Sequence, residues 1–378
     1  MLTSLLLLIC LFWLVIYIDA LIGMKKIERL ESVKQKPSET PLLSVIVAAR
    51  DEEASIEKSL RSQLKQTYKQ IEWIVVNDRS NDATGEIIDL ISKEDPRFHT
   101  LHITSLDKGW LGKNHALYRG YLKAKGEYLL FTDADILYHP KTIEKAISYV
   151  QENQLDHLTL APNMSVKRFW PKAFVTFFLF GFSFFKRPWK ANDDKSKTAI
   201  GIGAFNLVKR TAYEKIGTHR AIKERPDDDL MLGIRIKGHG YKQRMLTALS
   251  FIEVEWYATL KDAFIGLEKN TFAGLHYRYS MVWIAVTGVF TTHVIPFITL
   301  FFAHPLNQTL SLVAIGLIGL LYIQTVNRMT KGALKSLPVF PITALLFLYC
   351  IARAAFLTAK RGGIMWRGTF YSMKDLRK

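Results

Sequence analysis

Apolar residues crowd the two ends of this chain and alternate with polar ones between them. Residues 5–18, LLLLICLFWLVIYI, form one apolar run, and three more follow at about 281–303, 308–326 and 337–357. Each is close to the ~20 residues that cross a bilayer core as a helix. The middle has a different rhythm. LLSVIVAA (42–49) predicts a strand, and the next stretch has helical spacing, with Ile56, Leu60 and Leu64 on one face. IEWIVVND (71–78) predicts a second strand, followed by a helix opening near the cap-like Ser80 and Asp82. HTLHIT, a loop, the helix KNHALYRGYLKA (113–124) and the apolar strand of EYLLFTDAD continue the alternation. Strands and helices in this order predict an α/β domain on a largely parallel sheet covered on both faces, over residues 41–265.

The first apolar run has no basic residue ahead of it and no small-x-small site behind it, so it reads as a retained anchor over residues 1–23. Lys25, Lys26 and Arg29 follow directly, which places the middle domain in the cytoplasm of a multi-pass protein of the cell membrane. Residues 281–358 form the C-terminal membrane segments and 359–378 a basic tail. The loop NRMTKGALK is basic too, and both cannot be cytoplasmic if 337–357 crosses once. Pro338 and Pro341 point to a re-entrant or interfacial third segment. Residues 168–189, RFWPKAFVTFFLFGFSFFKRPW, are aromatic with basic ends, which fits a helix lying in the head-group zone; a buried core helix is the other reading.

The formal charge of +17 changes this picture little. Basic residues are scattered, many flank apolar spans, and no zinc-finger or RNP-type pattern accompanies them, so no nucleic-acid partner is expected. Attraction to anionic head groups explains the charge more simply. Cys10 and Cys350 are the only cysteines and both lie in apolar segments, so neither a disulfide framework nor a cysteine metal site is available.

Candidate chemistry gathers where the strands end, the edge at which ligands bind in such sheets. Strand one ends in Ala49-Arg50-Asp51-Glu52-Glu53, strand two in Asn77-Asp78, and the strand before DAD in Asp133 and Asp135. Like charges gathered together cost free energy unless a cation or proton neutralises them. Side chains two apart on an extended segment point the same way, so Asp133 and Asp135 are expected to aim at one point. Oxygen-only ligands, few in number, suit Mg²⁺ or Mn²⁺ holding a diphosphate. Lys108, Gly109, Gly112 and Lys113 at a helix start offer positive charge and close backbone approach, though without P-loop spacing. His115 beside them reads as a packing or capping residue. RPDDDLMLGIRIKGHGY (225–241) puts three aspartates at a helix start, stabilised there by the dipole or offering a general base.

The succession VNDRSNDAT, GWLGKNHA, DAD, GIGAFNLVKRTAYEKIG and DDDLMLGIRIKGHGY resembles a family 2 glycosyltransferase with a GT-A fold, over about residues 41–265. The GWxGKxxA loop, the C-terminal spans and the tail MWRGTFYS (365–372) are most similar to the membrane-anchored enzymes that glycosylate lipids: the ceramide, hopanoid-associated and carotenoid-acid glycosyltransferases. This resemblance implies inverting transfer of a sugar from a nucleotide-diphospho-sugar, UDP-linked, to a lipid hydroxyl or carboxylate. Ala49, Arg50, Glu52 and Asp78 would hold the base and ribose, Lys113 would lie near the nucleotide, and Asp133 beside the ribose or donor sugar. Asp135 would bind the metal. Asp228-Asp229-x-x-Leu232 matches the family's acidic pair, with Asp229 the base and Asp227 the residue favoured by the other register. The Gln-x-x-Arg-Trp motif of processive polymerases is missing, and residues 264–277 read FIGLEKNTFAGLHY, which points to transfer of one or very few sugars. Three other readings stand beside this one. The first is a glycosyltransferase of cell-wall or exopolysaccharide assembly acting on a polyprenyl-linked or glycan acceptor. The second is a dinucleotide-dependent oxidoreductase, which lacks its G-x-G-x-x-G after strand one, GIGAFN coming too late. The third is a transporter or membrane scaffold, whose expected intramembrane ionisable cluster is not evident.

Overall fold

The computed structural model describes residues 1–275, 277–366 and 369–373; the end of the basic tail and part of MWRGTFYS lie outside them. The chain opens with α1 (Leu2–Gly23). It then alternates β1 (Leu43–Ala49), α2 (Ile56–Leu64), β2 (Ile71–Asp78), α3 (Thr84–Glu94), β3 (Phe98–Ile103), α4 (Gly112–Tyr121) and β4 (Tyr128–Asp133). β5 (Ile136–Tyr138), α5 (Thr142–Glu152), β6 (His157–Ala161), β7 (Asn163–Ser165) and α6 (Phe169–Lys186) follow. After β8 (Asn206–Lys209) come α7 (Arg210–Lys215), α8 (Asp228–Gly238), β9 (Gln243–Thr247) and β10 (Ile252–Glu255). α9 (Leu260–Gly274), α10 (Tyr279–Val289), α11 (Ile295–Phe302), α12 (Pro305–Val326) and α13 (Phe340–Arg361) complete the helices. The chain divides into two compact units. One comprises Gly23–Met164 and Arg187–Glu255; the other comprises Met1–Ile22, Ser165–Lys186 and Trp256–Lys378. Residues 168–186 and 256–265, inside the domain expected from sequence, fall in the second unit.

The first unit is an α/β domain on a seven-stranded sheet of order β3-β2-β1-β4-β8-β6-β9. Neighbours are parallel except that β8 runs antiparallel to both β4 and β6. Successive residues of the central strands enter opposite cores: Val45, Val47, Trp73 and Val75 enter one, while Ile46, Ile74, Val76, Leu129 and Phe131 enter the other. Burial on both faces is why these strands read as near-continuous apolar runs. Strand order reverses direction at β1, so the crevice beyond the carboxyl ends of β1 and β4 is the expected ligand site.

Among the described residues four helical stretches are long and apolar enough to cross a membrane: Leu2–Lys26, whose residues 23–26 belong to the first unit, and, in the second, Tyr279–Phe302, Pro305–Val326 and Ala333–Arg361. The last is continuous over 29 residues. Pro338 sits in the 3-10 segment Ala333–Val339 that leads into α13, and Pro341 in the first turn of α13, where no helical N–H is needed. Leu8, Leu11, Val15, Trp283, Phe301 and Phe356 point outward, leaving an apolar belt on the unit. α6 is a core helix on one face: Phe174, Phe177 and Phe180 are buried and meet Phe264, Phe340, Phe347 and Tyr322. Only its ends, at Phe169, Trp170 and Phe185, show large exposed rings.

Candidate active site

Two groups of side chains form beyond the sheet's carboxyl edge. The first is built where the loops after β1 and β2 interlock. Asp51 and Arg79 adopt φ of 53° and 57°, the left-handed region that reverses a chain sharply. Asp51 accepts from the Asn81 N–H at 2.8 Å, while its own N–H donates to Ser80 at 3.0 Å. Glu53 and Asp82 exchange backbone bonds in the same way: Ala83 N–H donates to Glu53, and Glu53 N–H donates to Asp82. The Glu52 N–H donates to Thr84 Oγ1 at 2.8 Å. These bonds explain why α2 and α3 begin at Ile56 and Thr84, later than periodicity suggests: the acidic residues ahead of each helix serve the other loop. Within this group Ala49 is buried, and Arg50 lies half-buried with Nε 3.7 Å from Asp51. Asp78, 3% exposed, holds the Arg79 guanidinium through two bonds of 2.8 and 3.0 Å.

The second group centres on Lys113 in the first turn of α4. Its Nζ lies 2.7 Å from Asp133 Oδ1 and 3.3 Å from Asp228 Oδ2. Asp229 accepts from the Gly203 N–H at 2.8 Å through Oδ2 and from the Leu230 N–H at 2.8 Å through Oδ1. Asp227 is drawn away by Arg225, which it pairs with at 3.0 Å. Thus α4 and α8 point their N-termini at the end of β4, one bringing the cation and the other two carboxylates.

Burial raises the Asp228 carboxyl to about 6, with Lys113 opposing and Asp229 and Asp133 adding to the rise. Asp229 is raised too, by burial first, again against Lys113 and with Asp133. Burial pushes the Lys113 ammonium's pKa down, but Asp133, Asp228 and Asp229 outweigh it and hold the ammonium charged. Asp133, Asp228 and Asp229 thus converge, and Lys113 offsets their charge.

Glycines make this closeness possible. A Cβ on Gly112 would lie 2.4 Å from Asp78 Oδ2, so α4 begins against the first group. A Cβ on Gly203 would lie 2.5 Å from Asp133 Oδ2, and one on Gly201 only 1.8 Å from the Asp229 carbonyl oxygen. GIGAFN, set aside as a dinucleotide motif, is the strap against which Asp133 and Asp229 rest. Asn206 at its end donates to the Asp229 carbonyl at 3.3 Å and bonds His157, which Gln243 also holds at 2.8 Å. Gly201, Gly203, Asn206 and His157 were not singled out as site residues from sequence, because their partners are distant in the chain.

Asp133 and Asp135 depart from expectation in one respect. β4 stops at Asp133, and Ala134 and Asp135 form a turn with Ala134 buried in the core, so strand alternation does not set their relative direction. Asp133 turns to Lys113; Asp135 is half-buried. Among the described residues no group of three or more His, Cys, Asp or Glu could hold a metal ion by itself. A cation here would take a carboxylate or two from DAD and the rest from substrate oxygens and water, as Mg²⁺ and Mn²⁺ do. His115 is buried as expected, its Nε2 3.2 Å from Asp107 and its ring beside Trp110.

The profile described as Glycosyl transferase family 2 matches residues 44–217, which carry both loops, Lys113, DAD and the glycine strap. Those residues belong to glycosyltransferase family 2. The match ends before Asp228 and Asp229. A Haemophilus influenzae protein named as an uncharacterized glycosyltransferase is 39% identical over 119 residues, 32% of this chain and 35% of that protein. The 4,4'-diaponeurosporenoate glycosyltransferase of Staphylococcus haemolyticus is 31% identical over 131 residues, 34% of each chain. The chain thus spans about a third of the length of these curated relatives. Among solved structures, the Pyrobaculum calidifontis mannosyltransferase PcManGT, in complex with GDP-Man and Mn²⁺, matches with a TM-score of 0.53 at 17% identity, covering 95% of this chain and 98% of that one. The family 2 domain therefore has the GT-A fold.

Proposed function

We propose that this chain is a membrane-bound inverting glycosyltransferase that moves one sugar from a nucleotide-diphospho-sugar, UDP-linked, to a hydroxyl or carboxylate of a lipid. The observation that carries the reading is the meeting of Lys113, Asp133, Asp228 and Asp229 at the switch point of a family 2 domain. The apolar helices and the similarity to a carotenoid-acid glycosyltransferase support the lipid acceptor. One relative keeps a glycan or polyprenyl-linked acceptor as the second reading: TuaG of Bacillus subtilis, named as a putative teichuronic acid biosynthesis glycosyltransferase, is 31% identical over 112 residues.

In this reading the interlocked loops, through Arg50, Glu52 and Asp78 beside Ala49, hold the base and ribose. Asp133 faces the ribose or donor sugar, and Lys113 supplies positive charge near the nucleotide. Asp229 takes the proton of the acceptor hydroxyl as its oxygen attacks the anomeric carbon in line, and the nucleoside diphosphate leaves with the bonding pair. The two backbone N–H groups on Asp229 fix its carboxylate for that task. Asp228 beside it offsets Lys113. Half-buried Asp135 would hold Mg²⁺ or Mn²⁺ together with substrate oxygens and water, and such an ion would supply charge that stabilises the departing diphosphate. The family 2 domain faces the cytoplasm, where Lys25, Lys26 and Arg29 lie next to α1.

Membranes carrying the chain are expected to hydrolyse or transfer from a UDP-hexose only with Mn²⁺ or Mg²⁺ present, and Asp135→Ala to abolish that dependence together with turnover. Metal-independent turnover, or near-normal turnover by Asp135→Ala, contradicts the reading.

A further inference from the structure

His219 belongs to none of the roles above. It heads a short 3-10 turn, His219–Ile222, and is 1% exposed with its ring edge-on to Phe131 at 4.7 Å between centroids. Its Nδ1 lies 2.6 Å from the hydroxyl of the buried Tyr213, and its backbone N lies 3.0 Å from the same oxygen. A backbone N–H can only donate, so the tyrosine oxygen accepts there, and among the described residues Nδ1 is the one acceptor within reach of the tyrosine's own proton. A neutral imidazole that accepts at Nδ1 carries its proton on Nε2. Burial first, and Lys113 next, push the ring's pKa down to about 3, so it stays neutral at working pH.

Tyr213 thereby locks one tautomer, and the open edge of the ring is an N–H donor. No described residue accepts a hydrogen bond from Nε2, while His219 lines a small cavity with Lys113, Asp133, Asn206 and Asp228. The cavity has room for about one oxygen-sized group. The lining combines two residues able to donate, His219 and Lys113, with three carboxylates, Asp133, Asp228 and Asp229. A hydroxyl, which both donates and accepts, satisfies that mixed set; a phosphate oxygen, which only accepts, faces three carboxylates.

We propose that this cavity receives one hydroxyl of the donor sugar and that His219, through Nε2–H, is a specificity-determining residue for that sugar, with Tyr213 as its positioning residue. The proposal rests on the nucleotide-sugar reading above. Sites built to hydrogen-bond a hydroxyl discriminate strongly against analogues that lack it.

Calorimetric titration of the full chain in detergent tests it, with UDP, UDP-glucose, UDP-galactose and GDP-mannose as probes. For the tightest nucleotide-sugar, His219→Leu is expected to weaken binding about tenfold while binding of the matching nucleoside diphosphate is unchanged. His219→Gln, which keeps an N–H near Nε2, restores most of the loss, and Tyr213→Phe moves affinity the same way as His219→Leu. One monodeoxy analogue of the sugar loses a similar factor on the wild-type chain and nothing further on His219→Leu. Equal weakening of nucleotide-sugar and nucleoside diphosphate, or no weakening at all, overturns the proposal and leaves the donor reading standing. If the wild-type chain binds none of the probes, the donor reading falls and this inference with it.

Discussion

Lys113 is held between Asp133 and Asp228 with only a quarter of its side chain exposed, and its ammonium pairs with both carboxylates. Removing one member of a buried charge cluster leaves the rest uncompensated. Lys113→Ala is therefore expected to cost about 3 kcal/mol, read by denaturant unfolding, whereas a surface lysine such as Lys58 changed to Ala stays within about 0.5 kcal/mol. The same cluster sets a pH dependence with two signs. Because Asp228 is raised to about 6, the native state holds a proton that the unfolded chain has released, so this residue's contribution to stability falls as pH rises from about 4 to about 6. Turnover moves the opposite way, rising with pH as Asp229, held by burial above the usual carboxylate range, becomes ionised and able to accept a proton. Asp228→Asn is expected to flatten the stability slope, seen by comparing unfolding at pH 4.5 and 7. Most of these residues were legible in the sequence because their types are unusual at strand and helix ends. Asn206 and His157 were not, since they matter through partners far along the chain, and neither was His219, which joins Lys113 and Asp133 only in the folded cavity.

At the scale of elements, the site depends on how closely α8 lies against the strap before β8. A Cβ on Gly201 meets the Asp229 carbonyl oxygen at 1.8 Å, and one on Gly233 meets the Ile200 carbonyl oxygen at 2.4 Å. These are backbone atoms, so neither clash is relieved by a side-chain rotation. Gly201→Ala is expected to displace Asp229 and to lower turnover about a hundredfold while nucleotide binding, proposed for the first group, persists. In the helical unit, Thr292 sits in a π-helical segment, and the residue that would donate to its carbonyl in an α-helix is Pro296, which has no N–H. Trp13 Nε1 donates to that carbonyl instead, at 3.1 Å. Trp13→Phe keeps the ring and removes the donor; it is expected to cost about 1–2 kcal/mol, measured as lost thermal stability in detergent. Periodicity located the helices because their apolar faces repeat. It missed the packing of α6, because an aromatic run reads alike whether it meets lipid or other rings.

For the whole molecule, the sheet was legible because both of its faces are buried and its strands are uniformly apolar; the antiparallel β8 was not, since four residues carry no directional signal. The charge of +17 and the apolar helices make different claims about membrane attachment. A chain held only by charge leaves the membrane in salt of about 1 M, where the screening length is roughly 3 Å; this one is expected to stay in the pellet under salt and alkali and to leave only with detergent. The central claim is that α8 delivers a base to a sugar-transfer site. It is tested most directly by incubating membranes with radiolabelled UDP-hexose and Mn²⁺ and counting label in the organic-solvent extract, for the wild-type chain and for Asp229→Asn. Transfer by the wild type, with a loss of at least about a hundredfold in Asp229→Asn at unchanged nucleotide affinity, is the expected result. Extractable label formed equally by both chains contradicts the account.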